Sequence, residues 1–209
     1  VLQANTLSSA TWSFCLAVGA TLGGFVAVLL GRDAVFVLNA LSFLVSAWLI
    51  RRMRFDEPHA EGRPPMRWRD LVDFTPMREG VWYIAGDRRL LATVFVKGGL
   101  GLMGSNNVLL PILGERVFPV RLGNVSPERG AMLGMSLLMG ARGVGSLLGP
   151  FFGAMVAGNK ESRLRMGILI GFLTGAVFYM ALAGAGSLWL AVLLVTCAHA
   201  GGSMIWVFS

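Results

Sequence analysis

The sequence predicts an all-α, polytopic integral membrane protein with six transmembrane helices, and three observations carry that reading. Of the 209 residues, 55% are hydrophobic and 14% charged, where a soluble domain carries about 25% charged residues. Mean hydropathy is +0.68. The charges are also segregated. Residues 166–209 hold no Asp, Glu, Lys or Arg, a run too long for one span of about 20 residues, and it is broken at Ala183–Ser187 (AGAGS). Third, the apolar stretch Gly130–Asn159 has a single charge, Arg142, near its middle.

The first expected span is Thr11–Leu30, with Gly19 and Gly23 as helix-packing positions, and Gly31-Arg32-Asp33 separates it from the second, Ala34–Ile50. A polar region, Arg51–Arg89, follows with nine Arg, seven Asp or Glu and His59. Its stretch 56–65 (DEPHAEGRPP) has the composition of a flexible linker. Beyond it, Thr75-Pro76 is a cap-and-first-turn signal, and Met77, Val81, Ile84 and Ala85 fall near one face of an amphipathic helix. Gly86-Asp87 closes that helix and caps the next. The third span is Leu90–Leu113, with Lys97 inside and Gly98, Gly99, Gly101 and Gly104 loosening it.

The fourth span, Gly130–Ala157, contains Gly140, Gly143, Gly145, Gly149, Pro150 and Gly153. In water each interior glycine costs about 1 kcal/mol against alanine. In a bilayer the backbone bonds internally and small residues let helices approach closely, so Gly145, Gly149, Pro150 and Gly153 read as packing or hinge positions. The fifth span is Met166–Ala185 and the sixth Ser187–Phe208. The chain opens on Val1 with no cationic signal region and stops inside an apolar run at Ser209, so it reads as a fragment of a longer polytopic protein.

The net charge of +7 does not indicate nucleic acid, because the basic residues flank apolar segments. Putting 51–89 and Lys160, Arg163 and Arg165 on the cytoplasmic side leaves only Arg32, Arg116, Arg121 and Arg129 opposite. That bias expects the 51–89 loop to be cytoplasmic. Cys15 and Cys197 both fall in apolar spans and read as inert packing residues, with no disulfide, metal or cofactor framework.

Leu16–Leu30 (LAVGATLGGFVAVLL), Val35–Ile50 (VFVLNALSFLVSAWLI) and Gly140–Gly153 (GARGVGSLLGPFFG) resemble the fifth, sixth and eighth helices of major facilitator superfamily transporters, in the bacterial exporter branch that includes the enterobactin exporter and macrolide efflux proteins. Two spans, a long basic loop and four more spans match the middle of that twelve-helix fold. The resemblance implies that 1–50 closes an N-terminal six-helix half, that 51–89 is the inter-half loop, and that 90–209 opens the C-terminal half. It also implies alternating access, binding near the midplane between the halves, proton coupling and export, in a multi-pass protein of the bacterial cytoplasmic membrane that is a monomer when full length. The family's loop after its eighth helix carries an acidic residue followed by basic ones around a glycine. Gly158-Asn159-Lys160-Glu161-Ser162-Arg163-Leu164-Arg165 keeps the basic residues but not that pattern, which weakens any reading of it as a latch.

Intramembrane charges are site candidates, because a guanidinium at mid-depth costs at least about 2.5 kcal/mol on insertion scales. Arg142 is therefore read as a substrate-anion site or charge relay, or else as a structural Arg bonded to backbone carbonyls. Lys97 either snorkels to the interface or faces a cavity. Asn106 and Asn107 contact substrate or bond a neighbouring helix. His199 relays protons or packs neutral. Trp12, Trp48, Trp189 and Trp206 read as interfacial anchors. No Asp or Glu lies well inside a span, so a proton-driven transporter would keep its acid on another helix, where Arg142 could pair with it; otherwise an anionic substrate is the partner.

Two other classes fit less well. An intramembrane serine protease would need a Ser–His pairing, for which only Ser146, His199 and Ser203 offer themselves. An ATP-driven exporter half or a channel would show long charged helices, a phosphate-binding loop or a filter.

Overall fold

A computed structural model of the chain describes residues 2–54, 68, 72–121, 123, 125–157 and 161–209. The expected linker 56–65 and residues 158–160 of the loop after the fourth span lie outside these. The regular structure among the described residues is helical: α1 (Leu2–Leu30), α2 (Arg32–Arg52), α3 (Thr75–Gly86), α4 (Arg88–Gly101), α5 (Asn106–Ile112), α6 (Pro127–Ala157), α7 (Glu161–Leu182) and α8 (Leu188–Phe208). Among the described residues, five stretches are long and apolar enough to cross a membrane: Leu7–Leu30, Arg32–Arg52, Pro127–Gly153, Ser162–Leu182 and Leu188–Phe208.

The expected third span, Leu90–Leu113, is helical but is not one helix. α4 ends at Gly101, a 3₁₀ turn covers Leu102–Ser105, α5 follows, and a π turn covers Leu113–Val117. Sequence chemistry accounts for both breaks. Gly98, Gly99, Gly101 and Gly104 weaken the first half. Pro111, inside α5, has no N–H to give the Asn107 carbonyl. The backbone then widens, and Phe118 N–H reaches back to Leu113 O at 2.8 Å, the five-residue step of a π-helix.

The chain divides into two compact units, Val1–Phe36 with Lys97–Ser209, and Val37–Val96. In the first, α6 packs against α1 on one side and α8 on the other, and α8 packs against α7. Glycines set these approaches. A Cβ on Gly24 would strike Ser136, one on Gly143 the Ala17 backbone, one on Gly145 the Thr196 carbonyl, and one on Gly149 the Ala200 carbonyl. Gly171 and Gly201 face each other, each Cβ position 2.6 Å from the other's carbonyl oxygen. Such contacts are how membrane helices associate where hydrophobic burial gives little drive. Gly19 and Gly23 have open space on their Cβ side; on α1 the close approach to α6 falls at Gly24 and beside Ala17. The buried core gathers at one end, where Leu110 and Phe118 meet Leu138, Ala141, Leu182, Ala191, Leu194 and Val195.

In the second unit, Asp73 Oδ1 accepts from Thr75 N at 2.9 Å, and Pro76 occupies the first turn of α3. The Thr75 contacts hold the Asp73 carboxyl below the usual carboxylate range. Asp87 Oδ1 accepts from Arg89 N at 2.7 Å and opens α4. α3 buries none of its residues, nor does α2. For α2, whose Phe36, Phe43, Leu44 and Ile50 are all exposed, this is the surface expected of a helix whose solvent is lipid. At the end of α2 the Arg52 guanidinium stands over the Trp48 ring, 4.2 Å from its centroid, the interfacial pairing that anchors a helix end.

Candidate functional site

Arg142 is the central residue of the 31-residue α6, and His199 lies beside the middle of the 21-residue α8. Both line a cavity of about 650 Å³ within the first unit. Its walls come from α1 (Trp12, Ser13), the end of α4 and the following turn (Lys97, Gly101, Gly104), α6 (Arg142, Ser146) and α8 (His199, Ser203, Trp206). The volume is in the range of small-molecule sites. No Asp or Glu is among its lining residues.

The cations are held in different ways. Arg142 is half-buried, and its Nη1 donates to Asn107 Oδ1. Its guanidinium carbon lies 6.0 Å from the Trp12 ring centroid. Its Nε is buried with no hydrogen-bond partner. Lys97 is exposed, with Nζ 5.3 Å from the Trp206 ring centroid. Ser13, 1% exposed, leaves its Oγ without a partner as well. Each such atom is unusual, because a buried donor or acceptor left unpaired costs about 1–3 kcal/mol.

His199, 6% exposed, has Nδ1 at 3.1 Å from Val195 O and the Tyr179 hydroxyl 3.3 Å from its ring nitrogens. With Nδ1–H donating to the carbonyl, the other nitrogen accepts from Tyr179. Ser203 Oγ instead donates to Ser146 O at 2.6 Å, tying α8 to α6. The His–Ser pairing a serine hydrolase needs is thus replaced by His199–Tyr179.

The structure brings Arg142, Lys97 and His199 to one cavity. Neither Asn106 nor Asn107 lines it: Asn106 is buried in α5, while Asn107 reaches it only through Arg142. Gly145 and Gly149 lie behind Arg142 against α8, and Gly153 against Phe208. α6 continues through Pro150 to Ala157. Two wall residues, and one behind the wall, were illegible as such. Trp12 looks like an interfacial anchor when the span is started at Thr11, but α1 begins at Leu2 and places Trp12 beside Arg142. Trp206 likewise turns to Lys97. Tyr179 sits in an apolar run of α7 and carries no sequence signal of its contact with His199.

The chain matches the Major Facilitator Superfamily over residues 1–209. It is similar to the uncharacterised MFS-type transporter YkuC of Bacillus subtilis (strain 168), 24% identical over 181 residues. That alignment takes in 85% of this chain and 40% of the relative's length, so the chain spans less than half of the relative it matches. No solved structure matches it significantly. A multi-pass helical chain with a mid-span cavity and this match along its whole length belongs to the Major Facilitator Superfamily.

Proposed function

We propose that the protein is a secondary active transporter that exports a small amphipathic molecule by alternating access, coupled to protons, and that the Arg142 cavity is its solute site. The observation that carries this reading is the cavity itself. It sits at the middle of α6 and α8, the depth at which such carriers bind their solute, and two tryptophans converge on it with Arg142, Lys97 and His199. In this reading α1 and α2 are the fifth and sixth of twelve helices. The broken run α4–α5 is the seventh, and α6, α7 and α8 are the eighth to tenth. Residues 51–89 are a cytoplasmic loop in a monomeric carrier of the bacterial cytoplasmic membrane.

The test is transport into inside-out vesicles carrying the full-length protein, across a panel of amphipathic solutes, with and without an inward-acid proton gradient. Gradient-driven uptake that is blocked by Gly104→Trp, at a lining position where an added Cβ meets nothing within 4 Å, supports the reading. Uptake indifferent to that plug rules the cavity out.

Two further outcomes follow. With no carboxylate among the described wall residues, the proton-carrying role in this reading falls to the imidazole of His199, with Tyr179 against its ring. His199→Gln is expected to abolish stimulation by the proton gradient while downhill efflux continues; gradient stimulation equal to wild type sinks that role. For orientation, a cysteine at Arg54 in a Cys15→Ser/Cys197→Ser background should react with a membrane-impermeant maleimide only in inside-out vesicles, and one at Gly123 only in right-side-out vesicles. The reverse pattern inverts the topology.

A further inference from the structure

The cavity's charge balance goes beyond the choice of a transporter and bears on what it carries. Two cations, Arg142 and Lys97, face one space whose described walls hold no carboxylate. Arg142 is hydrogen-bonded to a neutral amide, that of Asn107, and its Nε has no partner. A cation near the middle of a span with neutral company alone is costly. Its indole neighbours lessen that cost through their ring quadrupoles but leave the positive charge in place.

We infer that the cavity binds an organic anion with a flat aromatic body, its acidic group at Arg142 and its rings against Trp12 or Trp206. This rests on the reading of the cavity as the solute site. Each feature of the wall has a complement in such a ligand. Arg142 lines the cavity with its guanidinium hydrogen-bonded only to the neutral Asn107 amide, and a guanidinium is the side chain best suited to a carboxylate, sulfonate or phosphate oxygen. Lys97, on a flexible stem at the other tryptophan, supplies a second positive charge without fixing direction. The indoles at the two cations provide stacking surfaces of the kind that planar rings seek. A volume of about 650 Å³ admits a molecule of one to a few rings. A cationic amphipath would find the same aromatic walls but would bring like charge to both Arg142 and Lys97.

The test uses three tritiated probes of one shape, 2-naphthoate, 2-naphthylmethylammonium and 2-naphthalenemethanol. Each is bound by scintillation proximity to the full-length protein in phosphatidylcholine vesicles, which contribute no anionic lipid. Naphthoate should bind at least about tenfold more tightly than the other two. Arg142→Gln should weaken naphthoate about tenfold while moving the alcohol by less than about twofold. Lys97→Gln, at an exposed position, should weaken naphthoate by about threefold, and Arg142→Lys should restore part of the loss. Preference for the ammonium or the alcohol, with binding still blocked by Gly104→Trp, overturns the anion and leaves the cavity as the solute site; a carboxylate supplied by another segment of the protein would give that result. Binding of all three probes untouched by Gly104→Trp and by both charge variants, or no binding with transport insensitive to the plug, overturns the anion and the cavity together.

Discussion

Arg142→Ala is expected to reduce turnover by about a hundredfold while most of the protein still folds and inserts. The two halves of that expectation have separate causes. Function suffers because the side chain contributes the direct charged hydrogen bonds of the cavity, and losing two at about 1.5 kcal/mol each removes about 3 kcal/mol, or two orders of magnitude. Folding is spared because removing a mid-depth guanidinium relieves an insertion cost of at least about 2.5 kcal/mol. The only hydrogen bond lost in the described structure is the one to Asn107, itself exposed. The measurement is initial transport rate per folded molecule in proteoliposomes, with the folded fraction taken from size-exclusion elution. A large fall in folded protein with normal turnover per molecule would make Arg142 a structural tie.

Gly145→Leu should have the opposite signature, a loss of folded protein. A Cβ at Gly145 lies against the carbonyl of Thr196, with the Ala200 backbone nitrogen 3.1 Å away, so the obstacle is main chain and no rotamer escapes it. α6 must withdraw from α8, and the withdrawal carries with it the Ser203–Ser146 hydrogen bond and the Thr196 bond to Ala141 O. Overpacking of this kind costs about 1–3 kcal/mol even where side chains can give, and here the upper end or more is expected, seen as a lower melting temperature and a smaller monodisperse fraction. Gly80→Ala is the control, since that glycine of α3 meets nothing within 4 Å. Equal behaviour of the two variants would show that the α6–α8 approach is not a source of stability.

Much of this was legible before any coordinates. Hydropathy located five of the helices because an apolar run of about 20 residues has few other uses, and Arg142 drew notice as the single charge in such a run. The third span was harder. Its glycines announced weakness, but whether the backbone there would bend, tighten or widen depends on neighbours: the π turn fits because Gly114 lies against the Gly134–Met135 backbone of α6. Gly19 and Gly23 showed the same limit, since small residues at helical spacing mark a face that could be packed, and the face that α1 turns to α6 runs through Ala17 and Gly24. The tryptophans illustrate it for the site. Position near a span end suggests an interfacial anchor, but α1 extends nine residues ahead of the Thr11 at which the span was started, which carries Trp12 inward to Arg142. Tyr179 could not be found at all, because it meets His199 across twenty residues of chain and one phenol in an apolar helix reads as bulk.

The missing N–H of Pro111 has a mechanical meaning. Twisting a continuous helix about its axis at one point requires its ladder of backbone bonds to stretch there and be remade. Between Asn107 and Phe118 one rung is absent and another has slipped to a five-residue step, so rotation at this joint surrenders little that is not already given up. Asn107 sits on the first rung of that joint and holds Arg142. A swivel at this joint would therefore turn the Asn107 amide, and with it the tether of an arginine on α6 that lines the cavity.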